Sequence, residues 1–132
     1  MKHTIIFFDF EGKWGMPFNT DYDLEKTVLN ILKILKQYHI KAVFCTCGKI
    51  IEVHPDIIKK IDNEGHEIAF HGYMHEDFNK ISIKELNQLL KKTENILLTL
   101  TGRRLLDFRA PFFMAPKFYN KKIYQLFKKK GI

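Results

Sequence analysis

The chain of 132 residues is 45% hydrophobic and 28% charged, with a formal charge of +7. This excludes a disordered polymer and leaves enough apolar material for one packed core, expected as a single α/β domain over residues 1–132. No apolar run approaches the roughly 20 residues that cross a bilayer, and "MKHTIIFFDFEG" carries carboxylates where a secretory signal has small residues, so no membrane segment and a cytoplasmic location are expected.

In chain order, "HTIIFFDF" predicts a buried strand that ends at Asp9, Phe10 and Glu11. "DYDLEKTVLNILKILKQYH" predicts a helix, with Leu24, Val28, Ile31, Leu32 and Leu35 at helical spacing and acidic residues in its first turn. "IKAVFCTC" reads as the second strand, and "HPDIIKKIDNEG" as a helix opened by Pro55 and closed by Gly65. "HEIAFH" is the third strand. "SIKELNQLLKKTENILLTLTG" is a longer helix, with Ser82 as its cap and Glu85 at the capping-box position. "RRLLDFRAP" is expected to be a fourth strand and "PKFYNKKIYQLFKKKG" a fourth helix. The lysines of "IIKKID", "LLKKTEN" and "LFKKKGI" fall on helices, where a solvated face explains them, and no nucleic-acid partner is expected.

Strand and helix alternation of this kind implies a parallel sheet with helices outside and sites at the carboxyl ends of the strands. The unusual residues gather there. Asp9 and Glu11, two apart on a strand, project to one face, an arrangement that needs a cation, an arginine or a reaction to compensate it. His71 and His75 in "FHGYMHED" are spaced to share one metal if the chain turns after its strand, and a carboxylate from the neighbouring strand end would be a third ligand. Two histidines and one carboxylate leave a position open for water, the catalytic pattern of zinc. Arg109 in "FRAPFF" could hold Asp9, so that one carboxylate binds the metal and the other acts on its water. Cys45 and Cys47 form C-x-C with no second pair to complete a thiolate zinc site, and they read as reduced, packed thiols.

Taken together and in this order, "FFDFEG", "KAVFCTCGKIIEVHPDIIKKIDNEG", "GHEIAFHGYMHEDF" and "LTGRRLLDFRAPFF" resemble the polysaccharide deacetylase (NodB-homology) domain, carbohydrate esterase family four. The resemblance implies a distorted (β/α) barrel and a metal-dependent hydrolase, usually with zinc, that removes N- or O-acetyl groups from a carbohydrate. It places the catalytic-base aspartate on Asp9, the metal-binding residues on Glu11, His71 and His75, and the base-orienting arginine on Arg109. Trp14, just after "FFDFEG", and Pro111 and Phe112, within "FRAPFF", are assigned to substrate binding.

The spaced D-x-E form, where most of the family has adjacent aspartates, resembles a branch containing peptidoglycan deacetylases and allantoinase-like amidohydrolases. Those amidohydrolases, and a basic glycan- or nucleic-acid-binding module without chemistry, are the alternatives. The family's later segments, including its general-acid histidine, find no counterpart before "KKKGI", so the chain reads as truncated. About four β/α units cannot close a barrel. An open parallel sheet is therefore expected, with edge strands exposed or paired with another chain as a homo-oligomer.

Overall fold

The computed structural model describes residues 4–12, 23–113 and 121–132. Strand β1 (Phe7–Phe10) alternates as its sequence requires: Phe8 and Phe10 pack on the core, while Phe7 and Asp9 face the other way and are exposed. It pairs in parallel with β2 (Val43–Thr46), which pairs in parallel with β3 (Glu67–Phe70). The register sets Asp9 beside Cys45 and Cys45 beside Ala69. Strand order β1-β2-β3 follows the chain, so each crossover steps the same way, as in a barrel and unlike a doubly wound sheet.

Helix α1 (Leu24–Gln37) starts where the Asp23 carboxylate accepts the Lys26 N–H at 2.9 Å. It buries Val28, Leu32 and Leu35, the apolar stripe expected from sequence. After β2 the chain forms α2 (Gly48–Val53) and then α3 (Pro55–Asn63). Sequence reading missed α2, a six-residue helix too short to show a period. Pro55 separates the two helices because it opens α3 and cannot continue α2. Helix α4 (Ile83–Thr101) begins with the Ser82 hydroxyl accepting the Glu85 N–H at 3.1 Å and ends at Gly102, which takes the left-handed conformation at φ 72°. Helix α5 (Lys121–Lys130) contributes Ile123 and Phe127 to the core.

These helices cover one face of the sheet around Phe44, Phe70, Ile58, Leu86, Leu90 and Leu97. Each such side chain stabilises the fold by about 1.5–3 kcal/mol relative to exposure. On the opposite face, Val43, Cys45 and Ala69 form a small separate cluster. No described helix is long and apolar enough to cross a membrane.

The expected fourth strand is reduced to one parallel bridge, between Phe70 and Phe108. The Phe70 N–H donates to the Asp107 carbonyl and the Arg109 N–H to the Phe70 carbonyl, both at 2.9 Å. Upstream, Arg103 is drawn to Asp62 on α3 at 2.7 Å and Arg104 to Glu94 on α4 at 3.2 Å. Those ion pairs and the burial of Leu105 hold the segment against the helices until residue 107. Downstream, Pro111–Phe113 turns as a short 3-10 segment and ends any ladder.

Candidate active site

The carboxyl ends of β1 and β3 bring Glu11, His71 and His75 together. Glu11 Oε2 lies 3.2 Å from His71 Nε2 and 2.6 Å from His75 Nε2, and the two imidazole centroids are 5.0 Å apart. One candidate ligand atom from each residue falls within 4.8 Å of the others. His71 leaves β3 with its backbone N–H donating to the Thr46 carbonyl at 3.2 Å. Its Nδ1 donates to the Arg109 carbonyl at 2.7 Å, which turns Nε2 toward Glu11.

His75 is held differently. Its backbone is left-handed, at φ 62°, a conformation that strains a residue with a side chain. The ring is buried and meets Phe112 edge-on at 4.5 Å between centroids. Burial pushes its pKa below the usual histidine value and His71 pushes the same way, while the Glu11 carboxylate opposes both. Its Nδ1 is buried and without a hydrogen-bond partner. Two imidazoles whose Nε2 atoms both face one carboxylate, closely grouped, fit a divalent cation such as zinc.

Asp9 sits beside this group and forms an ion pair with Arg109, Nη1 to Oδ1 at 3.2 Å. It is not the buried carboxylate that its apolar strand implied: its side chain is 31% exposed, because it lies on the face of β1 away from the helices. Arg109 also lies over the Phe7 ring at 5.8 Å. Below Asp9, burial pushes the Cys45 thiol up to about 11, with Asp9 acting in the same direction. Cys47 lies in the core on the other face, donates to the His71 carbonyl at 3.4 Å and is also pushed up by burial. Both remain protonated thiols at neutral pH, as the packing role expected of them requires.

Of the substrate-binding residues expected from sequence, Pro111 is buried and Phe112 is 57% exposed, with its ring against His75. Trp14 lies outside the described residues. The other described histidines are elsewhere: His39 precedes β2, His54 pairs with Glu25 at 3.0 Å, and His66 accepts the Ala42 N–H at 3.2 Å at the opposite end of the sheet. Sequence reading missed two supports of the site. One is the Arg109 carbonyl, invisible because every residue has one. The other is Tyr73, between the two histidines, whose buried ring reaches Glu52 on α2 and accepts from Lys92 of α4 at 2.5 Å. A polar-tipped aromatic between two candidate ligands was the available signal.

The chain is similar to known proteins along most of its length. The chain is 39% identical over 104 residues to a peptidoglycan-N-acetylglucosamine deacetylase of Bacillus cereus, covering 79% of this chain and 35% of that protein. It is 32% identical over 112 residues to a peptidoglycan deacetylase of Helicobacter pylori, covering 85% of this chain and 34% of that one. The chain thus spans about a third of the length of these relatives. Its fold superposes with a TM-score of 0.80 and 21% identity on a mutant, with restored activity, of a Bacillus anthracis CE4 family pseudoenzyme, covering 97% of this chain and 42% of that one. The model of the polysaccharide deacetylase family matches residues 11–132, and the chain belongs to that family.

Proposed function

We propose that this chain, as one domain, carries the metal-binding side of a hydrolase that removes N-acetyl groups from a peptidoglycan-like polysaccharide. Glu11, His71 and His75 would hold the cation. The observation that carries this reading is their grouping within 4.8 Å, with His71 oriented by the Arg109 carbonyl. The names of the relatives support the substrate class. A bound cation of this kind supplies Lewis acidity, polarising the amide carbonyl and making water more acidic.

The chain's own residues supply the base and its support. Asp9 accepts the proton of the attacking water, and the Arg109 guanidinium on Oδ1 fixes the carboxylate for that role. Glu11 would balance the charge of the bound cation. Phe112 shields His75 from water on one side and offers an apolar wall to a sugar ring.

The test is a zinc titration by calorimetry, paired with acetate release from a chito-oligosaccharide before and after chelation. One zinc per chain should bind, binding should be lost in His71→Ala, and acetate release should stop with chelator and return with zinc. Zinc binding that is unchanged in His71→Ala, or acetate release indifferent to chelator, would refute the reading.

A further inference from the structure

The turn that presents both imidazoles is closed by a side chain that the reaction itself does not use. Between His71 and His75 run Gly72, Tyr73 and Met74, and the next residue, Glu76, folds its carboxylate back under them. Its Oε2 accepts the Tyr73 N–H at 2.7 Å and its Oε1 accepts the Met74 N–H at 2.9 Å. The second of these bonds closes a small ring around the backbone of His75, the one residue between donor and acceptor. That is where φ is 62°, and Gly72, at φ 78°, is the other left-handed residue of the turn. The fit is tight: a Cβ on Gly72 would stand 2.8 Å from Glu76 Oε2. The carbonyls of the turn are fixed as well, since Gly72 and Tyr73 accept the N–H groups of Gly48 and Lys49 at 2.9 Å.

We infer that Glu76 is a positioning residue for the metal site: its carboxylate, by accepting two successive N–H groups, holds His75 in its left-handed conformation and so sets where the second imidazole meets Glu11 and His71. A carboxylate is the side chain suited to this, because its two oxygens each take one N–H group here. An amide of the same shape presents one acceptor and one donor, and the donor would oppose an N–H group. Freed of that bond, His75 can relax toward a right-handed backbone and carry its imidazole off the shared point. The inference rests on the metal-site reading given above.

The experiment compares Glu76→Gln with the parent chain and with His71→Ala, by cobalt titration well below each protein's unfolding temperature, together with thermal unfolding without metal. Glu76→Gln should weaken cobalt binding by roughly 10- to 100-fold while remaining folded, and the imidazole signals of His75 should shift in the metal-free NMR spectrum. A merely structural Glu76 would lower the unfolding temperature and leave affinity and His75 signals in place, which would overturn the inference. Should Glu76→Gln not fold, Glu76→Asp is read instead: its shorter arm should weaken cobalt by roughly tenfold, and unchanged affinity overturns the inference. If His71→Ala binds cobalt like the parent, the metal-site reading itself falls.

Discussion

Arg109 reaches two partners at once: its guanidinium lies 3.2 Å from Asp9 Oδ1, and its carbonyl accepts the His71 Nδ1–H at 2.7 Å. A substitution can remove the first bond and keep the second, since the carbonyl belongs to the backbone. Arg109→Met should therefore lower acetate release by roughly a hundredfold, a share of what a positioned base contributes, with zinc affinity little changed. Calorimetry and a rate assay on the same preparations decide it. Equal loss of both would mean that Arg109 supports the metal site and does not orient Asp9.

Gly48, the first residue of α2, lies against Tyr73. A Cβ there would come within 2.6 Å of Tyr73 Cδ2 and would also collide with the Thr93 hydroxyl. Alanine improves helix propensity by up to about 1 kcal/mol, but overpacking costs about 1–3 kcal/mol, and the contact is with the buried Tyr73 ring and Thr93 of helix α4, which cannot withdraw freely. Gly48→Ala should lower the urea midpoint. A midpoint equal to or above the parent's would show that Tyr73 and Thr93 yield without cost.

His66 is buried away from the metal site, and burial, reinforced by Lys41, pushes its pKa below the usual histidine value. In the folded state it accepts the Ala42 N–H at Nδ1, which requires the neutral ring. The unfolded chain takes up the proton first, so this stabilisation is complete above the unfolded value of about 6.5 and is lost as pH falls through the lowered folded value. His66→Gln keeps an acceptor and removes the titration. The stability difference between parent and His66→Gln, measured by urea unfolding without metal, should shrink as pH drops below about 6.5. A constant difference would contradict the assignment.

Cys45 and Cys47 are fully buried, and their thiols are held in the protonated form, Cys45 at about 11. Iodoacetamide at slightly alkaline pH should leave the native chain unlabelled and modify both residues in urea, as mass spectrometry would show. Rapid labelling of either thiol in the native chain would mean that the sheet opens there.

What could be read along the chain was what neighbouring residues decide among themselves. Leu24 to Leu35 announced α1 by their spacing, Ser82 and Glu85 opened α4 where capping predicts, and Gly102 closed it. The H-x-x-x-H of His71 and His75, with an acid at the end of an earlier strand, named the ligand types. Where sequence reading fell short, the deciding partners were distant. The fourth strand is reduced to the bridge at Phe108, and the residues before it meet distant helices, Arg103 at Asp62 and Arg104 at Glu94. Short α2 became visible only through the turn that receives its N–H groups.

By itself, then, the sequence determined the alternation of strands and helices, the parallel sheet that follows from it, and the chemical types gathered at one rim, because period, capping and turn chemistry act over a few residues. Only the tertiary structure decided that Glu11 meets His71 across 60 positions, that the carbonyl and not just the side chain of Arg109 serves the site, and that Asp9 stands in the open. Those relationships depend on where the intervening helices pack and on backbone groups common to every residue, so no local pattern of side chains encodes them.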